Sequence, residues 1–238
     1  MSKINQQENF KSNFGYCLRS SSIFFIPQEP VKTLFIFGDY WKFKNNLEVF
    51  VLASYRDMDG NLVKRVKVNF IDKMVVELEC PQGLFGSCEI EAFSTKDLKI
   101  PYSAIMAVYE SKESISMVHS YSRVYSQQEI EDKKIIIDGK EGCWNLRDND
   151  EVESFAVLHN GFNTLKEQEI QISIQNHKGE KRSVKNKLKE LKPYETFLIY
   201  PNLYFDDLSE FLDGQEGSAS INFHLATSFT RLLICWQK

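Results

Sequence analysis

Short apolar runs separated by turn residues recur along the chain, and each has the length of a β-strand. In the first half they fall at residues 22–26, 33–37, 47–55, 62–70, 74–78, 87–93 and 104–109. Alternating or continuous apolar character over so few residues predicts strands rather than helices. Prolines at 27 and 30 and the segments 57–60, 81–86 and 95–101 punctuate the runs; Asp59-Gly60 gives the strongest hairpin signal, because its turn accepts positive φ. The second half predicts strands at 117–125, 135–137, 142–146, 153–158, 169–175, 183–188, 196–200, 218–225 and 230–236. Within Ile170-Gln171-Ile172-Ser173-Ile174-Gln175 every apolar side chain points the same way, as in a strand with one buried and one wet face. Only residues 204–212, with Asp206 and Asp207 ahead of Leu208, Phe211 and Leu212, suggest a turn or two of helix. Residues 1–13 are polar and are read as a flexible N-terminus.

One turn-and-strand pattern occurs twice. Leu34-Phe35-Ile36-Phe37 leads through Asp59-Gly60 to Lys64-Arg65-Val66-Lys67, and Phe155-Ala156-Val157-Leu158 leads through Lys178-Gly179 to Lys181-Arg182-Ser183-Val184-Lys185. A period of roughly 120 residues is too long for a solenoid repeat and suits one sandwich domain. The chain therefore reads as all-β, with two tandem β-sandwich domains at 14–112 and 113–238 related by an internal repeat; the alternative is a single larger jelly-roll-like sandwich. In the second half, an apolar strand, the loop at Asn160-Gly161, an alternating strand, the turn at Gly179 and a corner at Pro193-Tyr194 follow one another. That layout resembles bacterial immunoglobulin-like sandwich domains. The resemblance has no Cys-Trp-Cys core signature behind it and implies a fold alone.

Composition agrees with a globular β protein: 42% of residues are hydrophobic and 13% aromatic. A net charge of -4 gives no global attraction to nucleic acid or to anionic membranes. No stretch approaches the ~18 apolar residues of a membrane span. The early run Ile23-Phe24-Phe25-Ile26 is too short for the apolar part of a secretory signal. Five scattered cysteines, none in C-x-x-C spacing, disfavour both a disulfide framework and structural zinc, so the expected compartment is a reducing cytoplasm.

Candidate chemistry is sparse. No G-x-S-x-G, Walker or G-x-G-x-x-G motif occurs, and His119, His159, His177 and His224 fit no metal-ligand spacing, so neither a cofactor nor a metal is expected. The most site-like segment is 117–125. Read as one strand, it puts His119, Tyr121, Arg123 and Tyr125 on one face, where rings beside a guanidinium and an imidazole suit a sugar or a planar anion; covering an apolar neighbour is the plainer role. Trp144 is a further candidate, as a stacking platform or as a core anchor. Asp206 and Asp207 are either cation or acid-base ligands or ordinary helix caps. Basic residues beyond each turn glycine, Lys64, Arg65 and Lys67 and then Lys181, Arg182, Lys185, Lys187 and Lys189, mark either an anion-binding stripe or protected strand edges. The leading expectation is a noncatalytic recognition protein for a glycan or a protein partner. The alternatives are an enzyme acting on a carbohydrate or small polar metabolite through His119, Tyr121 and Arg123, and a structural or homo-oligomerising protein.

Overall fold

The computed structural model describes residues 18–70, 75–94, 105–119, 123–125, 135–227 and 231–237. Two compact units emerge: Met1–Asp57 with Leu62–Asp132, and Met58–Asn61 with Lys133–Lys238. Both are built of antiparallel strands, and the fold is all-β.

The first unit holds β1 (Leu18–Ile26), β2 (Lys32–Gly38), α1 (Tyr40–Asn45), β3 (Phe50–Asp57), β4 (Leu62–Val68), β5 (Val75–Glu79), β6 (Gly86–Ser94), β7 (Met106–Glu110), β8 (Ile115–His119) and β9 (Arg123–Tyr125). Its sheets run β4-β3-β6-β1-β9 and β5-β2-β7-β8. Alternate residues of both sheets meet in one apolar cluster that includes Phe24, Phe35, Phe37, Trp41, Tyr55 and Ile90. Phe24 packs on Phe35 with ring centroids 5.2 Å apart. At the start of β6, Gly86 pairs with Ile26 on one side and Asp57 on the other. A Cβ there would lie 2.1 Å from Arg56 O, so the strand can begin here only with glycine.

The second unit holds β10 (Ile135–Leu146), β11 (Glu153–His159), β12 (Gln168–Gln175), β13 (Lys181–Leu188), β14 (Thr196–Ile199), a 3-10 turn (Pro201–Leu203), α2 (Leu208–Leu212), β15 (Gly217–Thr227) and β16 (Arg231–Gln237). Here the sheets run β10-β15-β12-β13 and β14-β11-β16. Ile170, Ile172 and Ile174 are all buried in its core, as the alternation of β12 requires. Asn160 fastens the loop after β11. Its side-chain amide donates to the carbonyls of Asn163, Leu191 and Lys192 while its Oδ1 accepts the Gly161 N–H at 2.9 Å.

Strand pairing is nested in both units. β1 pairs with β6, β2 with β5 and β3 with β4; correspondingly β10 pairs with β15, β11 with β14 and β12 with β13. Nesting of this kind is the connectivity of a wound hairpin, the jelly-roll principle. β7 and β16 then add beside β2 and β11. In the immunoglobulin arrangement the first and second strands are neighbours in one sheet. In both units here the first strand lies instead beside the sixth.

Three expectations are corrected. Residues 117–125 do not form one strand: β8 ends at His119 and pairs with β7, whereas β9 starts at Arg123 and pairs with β1 in the other sheet. Both strands belong to the first unit. The separate runs 135–137 and 142–146 are one strand, β10, with a shift of register between Ile137 and Lys140. Finally, α1 was not expected from the aromatic run Tyr40-Trp41-Lys42-Phe43. The N–H of Lys42 donates to the Asp39 carboxylate at 3.1 Å, Asn46 closes the turn at φ 50°, and Trp41 is buried.

Candidate interaction surface and acidic groove

The sheet β5-β2-β7-β8 sends Phe35, Phe37 and Ala107 into the core, so their chain neighbours face outward. Cross-strand register places Leu34 beside Val108 and Val108 beside Met117; the next row holds Ile36, Met106 and His119, and Ile115 adjoins Glu110. An apolar face thus extends across β2, β7 and β8. Leu34, Ile36, Met106 and Val108 are half-buried, while Ile115 is 68% and Met117 64% exposed. Val118, on the other side of β8, is also exposed, so the strand projects past the core beneath it. A face of this kind on a sheet edge is the sort of surface that associates with another protein.

Hydrogen-bond phase adds detail at this edge. The Ser111 N–H donates to Ser114 O at 2.9 Å and closes the β7–β8 hairpin. Counting along the antiparallel ladder from that pair, Tyr109–Ser116 and Ala107–Val118 are the hydrogen-bonded pairs. The amides and carbonyls of Ile115 and Met117 therefore point away from β7. β8 is the last strand of its sheet among the described residues.

Two other edges, β13 and β4, are dressed differently. β13 is the basic edge of its sheet, and three of its cations have carboxylate partners: Lys185 meets Glu169 at 2.8 Å, Lys187 meets Glu167 at 3.3 Å, and Arg182 meets Asp207 at 2.6 Å. On β4, the Arg65 Nε–H donates to Ser54 Oγ at 3.0 Å and the Lys67 ammonium stands 5.2 Å from the Phe50 ring centroid. Both basic stretches are edge strands whose charges deter pairing with another chain. β8, Ile115-Ser116-Met117-Val118-His119, has no Lys, Arg, Asp, Glu or Pro.

A polar cluster lies on the side of β1, β3 and β6 away from the apolar core of the first unit. Arg56 Nη1 stands 3.2 Å from Glu89 Oε2, and Ser21 Oγ–H donates to Glu89 Oε1 at 2.7 Å. Arg56, Glu89 and Glu91 are all buried. Alternation in the sequence assigns these residues to the non-core face but does not reveal that this face is buried too.

In the second unit an open groove of about 320 Å³ is lined by Asp148, Asn202, Phe205, Asp206, Asp207, Leu208, Ser209 and Glu210. Burial, and then the charge of Glu153, push the Asp148 carboxyl above its ordinary range, against the opposing hydrogen bond from Asn202. Asp207 is held below its ordinary range by the Arg182 hydrogen bond and charge. Among the described residues no three His, Cys, Asp or Glu side chains gather as metal ligands. Asp207 is committed to Arg182, whose guanidinium also stacks 4.3 Å above the Phe211 ring.

The residues singled out from the sequence are dispersed. His119 is exposed at the end of β8. Arg123 and Tyr125 lie on β9 in the opposite sheet, and Tyr121 lies outside the described residues. Trp144 is 3% exposed and belongs to the core of the second unit, the anchoring role of the two open to it. The apolar face is not marked by any motif, although Leu34, Ile36, Met106 and Val108 are the intervening positions of two strands predicted by the sequence. No known protein family, curated protein or solved structure matches the chain.

Proposed function

We propose that this is a noncatalytic recognition protein that binds a protein partner through the outer face of β2, β7 and β8. The carrying observation is the continuous apolar face ending in the exposed Ile115 and Met117. Its two units are read as copies of one sandwich domain of immunoglobulin-like size. The one-to-one correspondence of strand orders, β4-β3-β6-β1 with β13-β12-β15-β10 and β5-β2-β7 with β14-β11-β16, supports that duplication. Cysteines present as thiols, Cys80 and Cys88 among them, support a reducing, cytoplasmic setting.

The test presents wild type and Val108→Glu, a substitution at the middle of the face, to a peptide-display library and a glycan array. Peptides enriched by wild type and lost by the variant, with an unchanged thermal melt, are the expected result. Glycan hits unaffected by the substitution, with no peptide enrichment, would move recognition elsewhere. The groove of the second unit favours that second reading: Asp148, Asn202 and Asp206 offer sugar-type hydrogen bonding, and the raised Asp148 carboxyl is a candidate acid for an enzyme acting on a polar metabolite.

A further inference from the structure

The geometry points to a second copy of this chain as the occupant of the β8 edge, paired antiparallel about a two-fold axis at Met117. This rests on the apolar-face reading and specifies its partner. The outward amide and carbonyl of Met117 sit at the centre of the strand, so a register with Met117 opposite the partner's Met117 forms a hydrogen-bonded pair on the axis. Ile115 then falls opposite the partner's His119, and Ser116 opposite the partner's Val118. The row Leu34, Val108, Met117 continues into the same row of the second copy, and two apolar faces become one.

Charge favours this occupant over pairing at the basic edges. No carboxylate or ammonium on β8 opposes a like charge in the paired strand, whereas β4 or β13 paired with itself would bring lysines and arginines together. Glu77 and Glu79 lie on β5, at the far edge of the sheet, so the two-fold axis sends the acidic strands of the two copies to opposite ends. A self-complementary patch closes as a dimer and leaves no further β8 edge to recruit a third chain.

Analytical ultracentrifugation of the full chain over a wide concentration range tests the pairing. Wild type should reach twice the chain mass. Met117→Pro removes one outward N–H without removing a β7 hydrogen bond, a change edge strands accept, and should lose the dimer at every concentration where wild type is dimeric. Ile115→Pro is the second such variant should the first fail to fold, and Lys64→Glu on β4 should leave the dimer intact. A dimer abolished by Val108→Glu but untouched by both proline variants overturns the strand pairing while the apolar face stands. A monomeric wild type that binds the dye ANS, with the dye signal lost in Val108→Glu, overturns the second copy as partner and again leaves the face. A dimer indifferent to all of these substitutions, or a monomer that binds no dye, overturns both.

Discussion

Arg56 and Glu89 show what a single buried pair does in a sheet of this kind. Both side chains are buried, 4% and 9% exposed, and the carboxylate is further held by Ser21. Removing one partner takes the opposite charge away from the other while it stays buried, whereas removing both exchanges an ion pair for apolar packing. Glu89→Leu should therefore destabilise the protein by about 3 to 5 kcal/mol, and Arg56→Met combined with Glu89→Leu should cost clearly less than the single change. Urea unfolding of wild type, both singles and the double decides it; a double as unstable as the sum of its singles would show that the two charges do not depend on each other. The sequence shows these residues in alternation with Cys88, Ile90 and Ala92 and so gives their face correctly. It does not show their burial, because alternation reports direction and not what covers it.

Elements were legible where one local signal acted alone. The strict alternation of β12 and the Asp-Gly and Lys-Gly turns led to the observed strands and hairpins, because side-chain period and positive φ are properties of a few consecutive residues. Residues 117–125 read as one strand because their alternation continues across β8 and β9, which belong to different sheets. Nothing in Ser120-Tyr121-Ser122 is a strong turn former. α1 was hidden by aromatic residues that favour strands. On β13 the consequence is electrostatic. The folded value of Asp207 is depressed, so its tie to Arg182 contributes stability above the unfolded carboxylate value and loses it as pH falls through the folded one. Asp148 has the opposite sign: its folded value is raised, the fold penalises its charged form, and the penalty is relieved as pH falls through the folded value. Carboxyl-carbon NMR of Arg182→Ala should show the Asp207 titration moving up to the ordinary range while Asp148 titrates as before. An unmoved Asp207 would mean that Arg182 does not hold it in solution; because both partners are about half exposed, the comparison belongs at low salt.

At the scale of the molecule, a nested order of strands recurring in two units makes each sandwich close around its own core, and the thiols can report on the first of these. Cys88 is fully buried beside Tyr55, and burial pushes its thiol well above the ordinary value; burial raises the Cys80 thiol to about 12. The thiolate is the reacting species, so at neutral pH both are poor nucleophiles, and Cys88 is also out of reach of reagent. Cys143, on β10 of the second unit, is exposed. Among the three described cysteines, alkylation of the native protein followed by peptide mapping should therefore mark Cys143 ahead of Cys80 and reach Cys88 only as fast as the first unit opens. Adding urea below the main transition should accelerate Cys88 far more than Cys143, since only the former waits on unfolding. Labelling of Cys88 at the Cys143 rate in native buffer would mean that the two sheets of the first unit do not close around Tyr55 and Cys88, and the apolar face on the outside of β2 and β7 would lose the packed core that positions it.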